Sequence, residues 1–138
     1  MKRVFLLLLV LMIGLTASAS AITKKQIAIL ATTDIESIVD ESVFRLTYSY
    51  HEEAECLVLK LTFKALDVVG WNATPSEQTN ELVNLFRQMS DTIYQLMKDY
   101  SEGLEPPALL IRFATSDNGT IIIELNGEDV TWINNKNK

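Results

Sequence analysis

The stretch TPSEQTNELVNLFRQMSDTIYQLMKDYSEG, Thr74 to Gly103, decides how the rest of the chain must fold. Thr74 can accept a cap hydrogen bond, Pro75 suits the first helical position, and Glu77, three residues after the threonine, completes a capping box. Leu82, Phe86, Met89, Ile93, Leu96 and Tyr100 recur at steps of four and three, with Leu85 and Met97 broadening the stripe, so the spacing predicts one long amphipathic helix. Gly103 offers a left-handed stop, and Pro106 and Pro107 bar continuation. Such a stripe needs a sheet or another helix to cover it.

The flanking sequence reads as strands. Phe44, Leu46, Tyr48 and Tyr50 alternate with polar residues, and Leu57, Leu59, Leu61 and Phe63 alternate with Val58, Lys60 and Thr62. Their apolar faces agree in a hairpin with a loop over Glu52 to Glu55, which pairs His51 with Cys56, Tyr50 with Leu57 and Tyr48 with Leu59. Leu66 to Ala73 is expected to be a loop. Beyond the long helix, a three-residue loop, Asp117-Asn118-Gly119, with Gly119 left-handed in a bulge pairs Phe113 with Ile123 and sets Arg112 opposite Glu124. A two-residue turn at Asn126-Gly127 then pairs Ile123 with Val130 and Ile121 with Trp132.

Ahead of the hairpin, Ile35, Ile38 and Val39 follow helical spacing, so a helix covers at least residues 34 to 42. A capping box at Thr23 and Gln26 leaves open an extension back to Lys24. The expected fold class is α+β: N-terminal helix, β-hairpin, long amphipathic helix and three-stranded antiparallel meander, the helix packed on one face of an antiparallel sheet. In topology this order is similar to that of roadblock and longin-like interaction domains, and less closely to secretion-chaperone folds; no motif residue accompanies the likeness.

Lys2 and Arg3, an apolar run from Val4 to Leu15 and small residues ending at Ala19 or Ala21 have the three-part pattern of a signal peptide. The apolar run is short against the roughly 20 residues that span a bilayer. Residues 1–21 are therefore expected to be removed after Ala19 or Ala21, residues 22–133 to form a single domain, and 134–138 a polar tail, which places the protein outside the cytoplasm: secreted, or in the periplasm or cell envelope. No integral membrane span would remain after processing.

The chain carries 12 basic and 18 acidic residues; without Lys2 and Arg3 the domain is near −8, which argues against nucleic acid as a partner. Cys56 is the one cysteine, so no disulfide forms within the chain. Asn72 and Asn118 each begin an N-glycosylation sequon.

His51 and Cys56, the one histidine and the one cysteine, fall side by side in the expected register, which is the arrangement a thiol or hydrolytic enzyme would use. Against that, Glu52, Glu53 and Glu55 surround the thiol with charge that would raise its pKa. The same acidic tip lacks the spacing of a zinc hydrolase or an EF-hand, no Gly-x-Ser-x-Gly elbow occurs, and the glycines at 14, 70, 103, 119 and 127 build no phosphate loop. No catalytic residue, metal ligand or cofactor is assigned.

Recognition is the remaining reading. Trp71 in its expected loop could anchor a partner, and Leu110, Ile122 and Arg112 fall on the sheet face away from the long helix. Those four residues are the candidate site. The expected function is a small exported, non-enzymatic domain that binds a protein or peptide partner, or a second copy of itself, through the outer sheet face or an edge strand. A small-ligand carrier, with a pocket lined by Tyr48, Tyr50, Phe86 and Met89, is the other non-enzymatic alternative.

Overall fold

The computed structural model describes residues 22–127 and 129–133. The expected signal segment and polar tail lie outside these residues. The elements run α1 (Lys24–Ile38), β1 (Phe44–His51), β2 (Cys56–Phe63), α2 (Val68–Ala73), α3 (Ser76–Ser101), β3 (Ala108–Ala114), β4 (Ile121–Asn126) and β5 (Asp129–Ile133). This is an α+β fold whose five strands lie in the order β1-β2-β3-β4-β5. The sheet is mixed, not antiparallel throughout: β2 and β3 run parallel. The long helix returns the chain to the end at which β2 began, so β3 must repeat the direction of β2.

The capping box at Thr23 forms, with the Gln26 N–H donating to Thr23 Oγ1 at 3.1 Å and the Thr23 N–H to Gln26 Oε1 at 2.8 Å. α1 therefore reaches back to Lys24, and it ends at Ile38, short of residue 42. Val39 leaves the helix in an extended conformation, and Asp40 accepts from the Ser42 N–H and hydroxyl at 2.9 and 2.6 Å, a local turn that feeds β1.

The start of the long helix is also displaced. Thr74 does not cap it; Pro75 does, without a side-chain bond, because the Thr74 hydroxyl donates to Gly70 O at 2.8 Å and its N–H to Trp71 O. Both bonds close α2, the short helix that replaces the loop expected before residue 74, capped by Asp67 accepting from the Gly70 N–H at 2.7 Å.

The buried line of α3 runs Thr79, Val83, Phe86, Ser90, Ile93, Met97 and Ser101, while Leu85, expected in the stripe, is 57% exposed. Two serines lie on that line because their hydroxyls are satisfied: Ser101 donates to Met97 O, and Ser90 to Gly127 O in the β4–β5 turn. The small side chain at 90 brings the helix close to the sheet. Phe86 stacks on Phe113 with ring centroids 3.6 Å apart, and Phe44 and Phe63 pack edgewise around the pair. Tyr100 donates its hydroxyl to Asp34, tying α3 to α1.

The first hairpin keeps the expected register, from His51 opposite Cys56 to Phe44 opposite Phe63. In the second, Arg112 opposes Glu124 and Phe113 opposes Ile123 as expected. The extra residue, however, is not at Gly119. Ala114 pairs with Ile121, so the bulge is at Ile122, within β4. The third hairpin departs further: Asn126 pairs with Asp129 and Leu125 with Val130, then the register slips so that Glu124 opposes Trp132. The turn is set from outside the hairpin, since the Gly127 N–H donates to Leu109 O at 2.9 Å and its carbonyl accepts from Ser90.

Ile27, Ala31 and Ile35 of α1 and Phe86, Ile93 and Met97 of α3 share one buried cluster with Leu57, Leu59, Leu61, Leu109, Ile111 and Leu125. Both helices therefore cover the same face of the sheet. Among the described residues, no helix is long and apolar enough to cross a membrane.

Candidate functional site

With both helices on one side, alternation along the strands dictates what the other face displays. β1 contributes Arg45, Thr47, Ser49 and His51, all exposed; β2 contributes Cys56, Val58, Lys60 and Thr62; β3 contributes Leu110 and Arg112; and β4 contributes Ile121 and Glu124. Of these, Val58 is 8% exposed, hemmed by its neighbours on β1 and β3. Thr47, Tyr48, Ser49, Val58, Lys60, Arg112 and Ile121 line a shallow depression of about 320 Å³ with an apolar floor and a cationic wall.

The four residues singled out for recognition separate into two pairs. Leu110 and Arg112 lie half-buried on this open face, Arg112 Nε donating to Glu124 Oε2 at 2.9 Å. Trp71 and Ile122 do not reach a surface: each is 0% exposed and part of the core. Trp71 is drawn inward because α2, not a loop, carries it across the end of the core. Ile122 is turned inward by the bulge, which exchanges its face with Ile121. Residues 121, 122 and 123 are all isoleucine, so no alternation of side-chain type marks where the extra residue falls.

Lys60 completes the cationic wall. Among the described residues no carboxylate lies within ion-pair distance of it, whereas Arg112 is held by Glu124 and Lys24 and Lys25 are held by Glu55, Glu105 and Glu52. Gly119, left-handed at φ +61, lets its chain pass: a Cβ there would lie 3.1 Å from Lys60 Nζ.

His51 and Cys56 face each other across the first hairpin. The Cys56 thiol is pushed above the usual thiol range, first by burial and against the pull of the Leu110 backbone and the Arg112 charge. The direction is that expected from the sequence, but the first cause is desolvation and not the acidic tip. A thiol held neutral is a poor nucleophile. No group of three His, Cys, Asp or Glu side chains converges as a metal site among the described residues.

A larger groove of about 730 Å³ opens on the opposite side of the hairpin tip, lined by Lys24, Glu55, Asp91, Tyr94, Glu105 and Pro106 among others. Lys24 bridges it, 2.9 Å from Glu55 and 3.6 Å from Glu105, and clasps the tip to the start of β3. At the centre of the pocket expected between Tyr48, Tyr50, Phe86 and Met89, Phe86 is 3% exposed and packed among phenylalanine rings. Compared with protein-family models, curated proteins and solved structures, the chain matches none.

Proposed function

We propose that this protein is a small exported, non-enzymatic binding domain whose open sheet face takes a protein or peptide partner. The observation that supports this reading best is the placement of α1 and α3 on one side of the sheet: among the described residues no helix lies over the other face, where Val58 and Ile121 share a depression with Lys60 and Arg112, and Leu110 and Arg45 lie on the same face. An apolar floor with a polar rim is the ordinary anatomy of a recognition surface. Export rests on the basic, apolar and small-residue pattern of residues 1–21.

Site-resolved photo-crosslinking in the native host tests it. A photoreactive residue at Leu110 should capture one stoichiometric partner, while the same residue at Glu81, exposed on α3, should not. Equal capture from both positions, or capture from Glu81 alone, would remove the sheet face from consideration.

A further inference from the structure

We propose that the partner segment is an extended acidic strand that adds to the free edge of β1, alternating carboxylates on the outer face with apolar side chains on the inner one; this rests on the binding-face reading above and deepens it. Among the described residues, β1 is the first strand of the sheet and pairs on one side only. The Lys64 N–H donates to Val43 O at 2.9 Å, which sets the phase of the antiparallel ladder: Arg45, Thr47, Ser49 and His51 bond to β2. The N–H and C=O groups of Leu46, Tyr48 and Tyr50 therefore point outward along the open edge. Phe44, next in that series, already gives its N–H to Asp40.

Apart from the charge of Arg45, this edge lacks the usual guards. Its eight residues include no proline, no lysine and no break in register, whereas β5 at the other edge has five residues and an irregular register. An edge of this length, guarded by one charge, is a template for another strand.

Charge and shape say which strand. On the outer face Arg45 lies at the edge itself and Lys60 one strand in, opposite Thr47, with the nearest acidic side chain of that face, Glu124, already held by Arg112. In a chain of net charge −6, this face carries a local excess of positive charge. A carboxylate of an added strand would meet Arg45 at the edge, and Lys60, one strand further in with its ammonium near Gly119, adds only to the field. On the inner face Leu46 and Tyr50 are half-buried and Tyr48 is 50% exposed, so the intervening positions should be apolar. A second copy fits less well, because β1 contains no carboxylate, and pairing with itself would leave Arg45 unmatched.

The test uses two acetylated, amidated octapeptides, one alternating Glu with Val and one alternating Lys with Val, titrated into the processed protein and read by backbone amide NMR. The Glu peptide should bind at least about tenfold more tightly at low salt. Its shifts should centre on Leu46, Tyr48 and Tyr50, and Arg45→Glu should reverse the preference. Tyr48→Pro removes an N–H from the open edge without touching the β1–β2 ladder, so it should abolish binding while the thermal melt stays cooperative. Should that variant not fold, a Glu-Val peptide with N-methylated backbone supplies the same deletion from the other partner, and it should not bind. Equal affinity of the two peptides, or shifts away from β1, would overturn the proposal. So would a concentration-dependent dimer that Tyr48→Pro dissolves, which would seat a second copy on the edge. A host partner crosslinked from Leu110 but not from Thr47 would leave the binding-face reading standing and remove the added strand.

Discussion

Arg112 and Glu124 stand directly opposite each other on β3 and β4, their side chains 2.9 Å apart on the uncovered face. Glu124 also accepts from the Thr131 hydroxyl at 3.1 Å, so one carboxylate links three strands. Both partners remain partly exposed, at 41% and 26%, and pairs of this kind contribute less than about 1 kcal/mol. Glu124→Gln should therefore shift the urea midpoint only slightly. A loss above about 2 kcal/mol would mean that the pair, and not the apolar face beneath it, sets the register.

The rotated stripe of α3 is testable by two neighbours. Val83 is 7% exposed and Leu85 is 57% exposed. Val83→Asp should unfold the domain, because an unpaired buried charge costs several kcal/mol against a total of about 5–15. Leu85→Asp should leave a cooperative melt within about 0.5 kcal/mol of the parent. Phe86→Ala, which removes the ring stacked on Phe113, should cost about 3–5 kcal/mol by chemical denaturation.

The bulge in β4 makes two adjacent isoleucines unequal. Ile122 is 0% exposed, whereas Ile121 lines the open face. Aspartate at position 122 should abolish folding, and aspartate at 121 should give a soluble, folded protein. The reverse result would place the extra residue at Gly119 and restore unbroken alternation through β4.

Cys56 should be a slow nucleophile. Its pKa is raised, chiefly by burial, so at neutral pH less of it is thiolate than in the unfolded chain. Alkylation by iodoacetamide should be slower for the folded protein than in denaturant, with the folded rate rising only above the ordinary thiol value of 9.0. Folding favours the neutral thiol, so its contribution to stability is present below that value and is lost as pH rises through the higher folded-state pKa. Fast alkylation at pH 7 would reopen the thiol-enzyme reading with His51.

Local pattern determined much of this protein. The α+β class, the order of the strands and the two longer helices, the register of the first hairpin and the opposition of Arg112 to Glu124 all follow from spacing and turn residues, whereas the short helix Val68–Ala73 does not and the capping box at Thr23 is one of two readable starts. The placement of Leu110 and Arg112 on the face away from the long helix follows too, since strand alternation has a period of two.

Tertiary structure alone decided the rest, because distant groups settle choices that are locally balanced. Ser90 with Leu109 fixes the turn at Gly127 and shifts β5. A bulge among three isoleucines exchanges Ile121 for Ile122. The parallel pairing of β2 with β3, which leaves β1 as an open edge, depends on where a 26-residue helix lands. No spacing records these outcomes, for they are set by contacts between residues far apart in the chain.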